Sequence, residues 1–156
     1  MRLRRKFKEL LKIKEKMNDA IILVEGERDR SALEKIGFLR SKILTISGKN
    51  PELVLTDIKR LNLGKMNIKE MKGEKMNIEE MKGEKMRKEE TVIILTDFDR
   101  KGKDLERRFF DELIPSIKSV DINCKRKLRW IFGIKTIEEI PAKYFEFVNI
   151  TKSIGC

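Results

Sequence analysis

Ala20-Ile21-Ile22-Leu23-Val24-Glu25-Gly26 and Thr91-Val92-Ile93-Ile94-Leu95-Thr96-Asp97-Phe98-Asp99-Arg100-Lys101-Gly102 decide how this chain is read. Each begins as an unbroken apolar, β-branched run of strand length and ends in carboxylates and a glycine. A strand apolar throughout is buried on both faces, as in a parallel sheet between helices. Ligands of such sheets bind at the C-terminal strand ends. Three acids, Glu25, Asp97 and Asp99, fall at that edge in a chain with no histidine. Carboxylates alone suit a hard, oxygen-seeking cation, Mg²⁺ first among them, and Mg²⁺ in turn points to phosphate chemistry.

The remaining pattern agrees with an open parallel sheet. A helix is expected over about 27–36, closed by Gly37, then a short strand over Lys42–Ile46 and a turn at Ser47-Gly48-Lys49-Asn50. Pro51 suits the first turn of a helix carrying Leu53, Val54, Leu55, Ile58 and Leu61. After Gly102, a helix over Lys103–Ile114 points Leu105, Phe109 and Leu113 inward until Pro115, and Lys118–Ile122 reads as a fourth strand. Thr136-Ile137-Glu138-Glu139 has the spacing of a capping box and opens a last helix reaching about Phe147. Strand, helix, strand, helix, strand predicts an α/β fold: a parallel sheet of about four strands with helices on both faces.

Charge is unevenly spread. Charged residues make up 40% of the chain and the net charge is +11, which favours a polyanionic partner. Residues 1–19 hold eight basic and three acidic residues, and 2–17 read as a basic helix; Lys125-Arg126-Lys127-Leu128-Arg129 forms a second basic knot. A solvated surface explains such runs equally well. Cys124 and Cys156 stand alone, without metal-ligand spacing, and read as reduced thiols of a cytoplasmic protein. No apolar run approaches the roughly 18 residues of a membrane span, and the basic start leads into no signal core. Abundant Lys and Glu without Gln resemble the composition of hyperthermophile proteins.

Residues 65–74 and 75–84 repeat one ten-residue unit, followed by a partial copy to 90. Ten is too short a period for the common solenoids, and Gly73 and Gly83 interrupt any helix. The expectation is an insertion over 64–90, partly helical or mobile. A methionine-rich partner-binding arm is the sharper alternative.

Asp97 and Asp99 lie two apart, so in extended chain both side chains point one way and can share an ion. Glu25, on a neighbouring strand, would face the same pocket and could move a proton at the reacting oxygen. Gly26 and Gly102 let backbone approach phosphate closely, and Arg28, Arg100, Lys101 and Lys103 stand where they could neutralise a bound strand.

At these residues the chain resembles the Toprim family, the metal-binding domain of topoisomerases, bacterial primases and several small nucleases. Leu23-Val24-Glu25-Gly26 matches its strand ending in Glu-Gly, with Asp29 at a further acidic position. Thr96-Asp97-Phe98-Asp99-Arg100-Lys101-Gly102 matches its Asp-x-Asp, and Ile46-Ser47-Gly48 its glycine turn. The resemblance covers about 19–122, leaving a basic N-terminal helix over 1–18 and a basic segment with a helix over 123–156. It implies Glu25 as general acid/base and metal ligand, with Asp97 and Asp99 binding Mg²⁺. Topoisomerases need a nucleophilic tyrosine on a separate domain, whereas Tyr144 is the one tyrosine here and sits in a late helix. The zinc module of primases and the phosphate loop of ATPase-fused members have no counterpart. What remains is similar to the stand-alone small Toprim proteins of archaea, related to a ribosomal-RNA maturase.

The function expected is therefore Mg²⁺-dependent phosphodiester cleavage of nucleic acid, structured RNA before DNA. The alternative is a nucleic-acid-binding module without turnover inside a larger complex. A third reading takes Asp97 as the nucleophile of a haloacid-dehalogenase-type phosphatase, but Lys101 stands where that motif carries Thr or Val.

Overall fold

The apolar runs do form the centre of the sheet in a computed structural model that describes residues 2–71 and 91–153. In chain order the elements are α1 (Arg2–Asn18), β1 (Ile21–Val24), α2 (Glu27–Lys35), β2 (Ile43–Thr45), α3 (Pro51–Met71), β3 (Thr91–Leu95), α4 (Arg100–Leu113), β4 (Ser119–Asp121), α5 (Asn123–Phe132) and α6 (Ile140–Ser153). Single 3₁₀ turns at Arg40–Lys42 and Ile137–Glu139 lead into β2 and α6.

The four strands run parallel in the order β2-β1-β3-β4. The central pair is in register from Ile21 opposite Val92 to Val24 opposite Leu95, so both strand ends meet the same edge. Alternation along these strands builds two cores. Ile22, Val24, Ile93 and Leu95 face one side, against Leu10, Ile13 and Met17 of α1, Leu33 of α2, Leu128 and Ile131 of α5 and Phe147 of α6. Ile21, Leu23, Val92 and Ile94 face the other, against Val54 and Ile58 of α3 and Phe109 and Leu113 of α4. Helices cover both faces of a parallel sheet, as the sequence predicts.

Several expectations are refined. Gly37 adopts a left-handed φ of 104° just past α2, where its N–H reaches the Glu34 carbonyl and that of Phe38 reaches Leu33, closing the helix. Thr136 and Glu139 form the capping box, but it opens a 3₁₀ turn that then passes into α6. The Lys125–Arg129 knot is not simply a solvated surface: it lies in α5, whose Cys124, Lys125, Leu128, Ile131 and Phe132 are buried. Spacings of three, four and seven bring those residues onto one face, a period that the basic residues between them hide. The backbone of the first repeat unit continues α3 to Met71, and the rest of the 64–90 insertion lies outside the described residues, as does Cys156.

Candidate active site at the strand ends

Sheet pairing continues past β1 and places the first acid. The N–H groups of Ile46 and Ser47 donate to the carbonyls of Val24 and Glu25, each at 2.9 Å, so Glu25 stays in line beside β2. On its other side Glu25 Oε1 accepts the N–H of Asp97 at 3.0 Å, bridging the ends of the two central strands. Asp97 Oδ1 in turn accepts the N–H of Ile137 at 2.9 Å, from the turn before α6. The neighbouring N–H of Phe98 donates to the Lys135 carbonyl at 3.5 Å. The segment after α5 thus clamps the acidic loop, which nothing in the strand-end motifs announces.

Asp97 and Asp99 do not behave as successive same-side residues of a strand. β3 ends at Leu95, and Asp99 becomes the N-cap of α4, its Oδ1 accepting the N–H of Gly102 at 2.7 Å. Gly102 is needed for a steric reason: a Cβ there would sit 2.0 Å from the Asp97 carbonyl oxygen and 2.8 Å from Glu25 Oε1. Helix α4 can therefore start hard against the strand-end loop only without a side chain at this position. Thr96, fully buried, ties the same turn by donating to the Gly102 carbonyl at 2.7 Å.

A fourth acid joins them. Asp29, 5% exposed, folds back to accept the Gly26 N–H at 3.3 Å. Burial, then the charge of Asp97, pushes its pKa up to about 6, the Gly26 hydrogen bond opposing and Glu138 and Glu25 adding to the rise. Burial also raises Glu25, against the Asp97 N–H bond, and the charges of Asp97 and Asp99 add to that rise while Lys101 opposes it. These acids crowd one another in a partly desolvated corner. Among the described residues, however, no three acidic, histidine or cysteine side chains stand close enough together to enclose a metal ion.

The basic candidates do not converge on one pocket. Arg28 is exposed near the start of α2. Arg100 and Lys101 line a shallow concavity of about 540 Å³ with Asp104 and Arg108. Lys103 points to the other side of α4, into a separate groove. Buried Lys125 has a part that the sequence reading missed. Its Nζ lies 3.0 Å from Thr96 Oγ1, 3.3 Å from the Asp97 carbonyl and 3.1 Å from Glu106 Oε1, holding the acidic loop from below. The Tyr144 hydroxyl accepts from Lys14 Nζ at 2.7 Å, between α6 and α1.

A Toprim domain profile matches residues 20–125, the stretch that holds these strand-end acids. The chain belongs to the Toprim family, whose domains generally bind Mg²⁺ and act on nucleic acids. Its relatives are small archaeal proteins. It is 28% identical to a UPF0292 protein of Thermococcus gammatolerans over 149 residues, covering 93% of this chain and 90% of that one. A UPF0292 protein of Pyrococcus furiosus is 30% identical over 122 residues, 77% of this chain and 70% of that one. A solved structure of a protein from Aquifex aeolicus shares the fold, with a TM-score of 0.54 and 24% identity over 84% of this chain and 97% of that one.

Proposed function

We propose that this Toprim protein is a Mg²⁺-dependent phosphodiesterase that cuts nucleic acid, structured RNA before DNA, in the cytoplasm. The observation that carries this reading is the 3.0 Å bond from the Asp97 N–H to Glu25 Oε1, which holds two acids from neighbouring strands at one edge. Residues 19–122 form the working domain, and 123–156 complete it through the Ile137 N–H on Asp97.

Glu25, Asp97 and Asp99 are the residues that would hold the ion. The donor set fits: all are hard oxygen ligands, and a cation relieves both the burial and the smaller mutual repulsion that raise Glu25. The incomplete cage fits as well, because Mg²⁺ usually keeps several waters and takes substrate oxygens besides one or two carboxylates. When bound, the ion supplies positive charge against the non-bridging phosphate oxygens and lowers the pKa of a coordinated water.

The protein's own residues do the rest. Glu25 is tethered through Oε1, which fixes its orientation while Oε2 takes or returns the proton of the reacting oxygen. Burial favours its neutral form and brings its pKa toward the range useful for that task. Arg28, Arg100, Lys101 and Lys103, at the mouths of α2 and α4, neutralise flanking phosphates.

The test is single-turnover cleavage of a labelled structured RNA by Asp97→Asn and Glu25→Gln. Both are expected to fold, and each to lose at least about 100-fold in rate. Wild-type rates in folded Glu25→Gln would reject the assignment. A binding module without turnover is favoured by one observation, that Asp97 and Asp99 each spend an oxygen on a backbone N–H. It requires that RNA binding survive alanine at both positions while no cleavage occurs with any divalent ion.

A further inference from the structure

Between α4 and α5 runs a groove of about 610 Å³, lined in part by Phe98, the residue separating Asp97 from Asp99. Four exposed cations line it: Lys103 and Arg107 from α4, Arg126 and Arg129 from α5. The remaining charges, Lys125 and Glu106, pair at 3.1 Å and cancel, so the groove keeps a net charge of +4 from those four. Arg126 and Arg129 make no ion pair among the described residues. The Arg129 guanidinium lies 5.1 Å from the centre of the Phe98 ring, stacked as a cation on its face.

We propose that this groove binds an unpaired stretch of nucleic-acid strand and delivers it to the acidic edge. The inference rests on the phosphodiesterase reading and adds where, and in what form, the substrate is held. Charge comes first: a mouth crowded with Glu25, Asp29, Asp97 and Asp99 repels a phosphate backbone, whereas a channel of four cations beginning one residue away attracts it. Shape comes second. A volume of about 610 Å³ lies within the roughly 300–1,000 Å³ range of pockets that enclose small molecules. Such a groove admits a few nucleotides of single strand, while a stiff duplex touches only its rim. Chemistry comes third. Arg129 is planar and already fixed on Phe98, so its outer face offers a stacking platform for an unstacked base, as arginine does in single-strand recognition.

Binding is measured without divalent ions, in EDTA, so that no step of catalysis enters. The probes are a fluorescein-labelled 12-nucleotide single-stranded RNA and the same strand annealed to its complement. The variants are Arg126→Ala/Arg129→Ala in the groove and Lys59→Ala/Arg60→Ala, two exposed cations of α3 against the opposite sheet face. The groove pair is expected to weaken single-strand binding at least tenfold and to reduce the salt slope by about 1.4, two contacts at about 0.7 each. The α3 pair should change it less than twofold, and duplex binding should fall much less than single-strand binding. Equal losses from both pairs, or none from the groove pair, overturn the groove while leaving the phosphodiesterase reading to its own test. A groove effect equal on duplex and single strand overturns the preference for unpaired strand. Failure of wild-type protein to bind either probe overturns the groove and leaves the phosphodiesterase reading to its own metal-dependent test.

Discussion

Replacing Asp29 by Asn should stabilise this protein, by an amount that grows as pH rises from about 3.8 to about 6. Asp29 is 5% exposed and its pKa stands at about 6 against an ordinary value of 3.8, with burial the main cause and the Asp97 charge next. A carboxyl that ionises later in the fold than in the unfolded chain favours folding while protonated. That contribution is complete below the unfolded value and is lost as pH rises through the folded one. The loss between about 3.8 and about 6, at about 1.4 kcal/mol per tenfold, comes to about 3 kcal/mol once Asp29 is fully charged. Asparagine imitates the neutral carboxyl, and its side-chain oxygen can still accept the Gly26 N–H now held at 3.3 Å. Guanidinium unfolding of wild type and Asp29→Asn, in EDTA at pH 3 and pH 8, reads the difference. The variant should match wild type at pH 3 and exceed it by about 2–3 kcal/mol at pH 8. A gap that does not change with pH, or a variant weaker at pH 8, would refute the claim that Asp29 is charged at a cost in a crowded acidic corner.

Gly102→Ala places a Cβ 2.0 Å from the Asp97 carbonyl oxygen, so α4 must retreat from the strand-end loop. A stability loss above about 2 kcal/mol by chemical denaturation is expected, together with loss of any metal-dependent cleavage. Lys125→Met strands Glu106 in a half-buried place and frees the Asp97 carbonyl, which should cost about 3–5 kcal/mol. Adding Glu106→Leu should recover much of that stability without restoring cleavage, as thermal melts and a cleavage assay would show. Cys124 is buried with its thiol pushed up to about 12, chiefly by burial, so it should resist alkylation by iodoacetamide in the native protein and react promptly once denatured.

The sheet was legible in the sequence because its central strands are apolar without a break over Ile21–Val24 and Val92–Leu95 and leave no competing period. The acids at their ends were legible for the same reason: they interrupt those runs abruptly. Which atoms they touch was not legible. That Asp99 caps α4 depends on where the helix begins, and Gly102 alone permits that start by having no side chain. The Ile137 N–H on Asp97 comes from 40 residues downstream, a proximity that no local pattern encodes. Lys125 was hidden in a run of cations, although Cys124, Leu128 and Ile131 beside it carry the spacing of a buried helix face. Charge in a sequence defaults to the surface, and only tertiary contact shows that one lysine of five consecutive positions is turned inward to hold a loop.

The most direct test of the whole account is a Mg²⁺ and Mn²⁺ titration of the protein with labelled structured RNA and with duplex DNA, wild type beside Glu25→Gln. The account predicts cleavage that appears with the metal, is stronger on RNA, and falls at least about 100-fold in a variant that remains folded. Tight RNA binding with no cleavage at any metal concentration, identical in the two proteins, would contradict it.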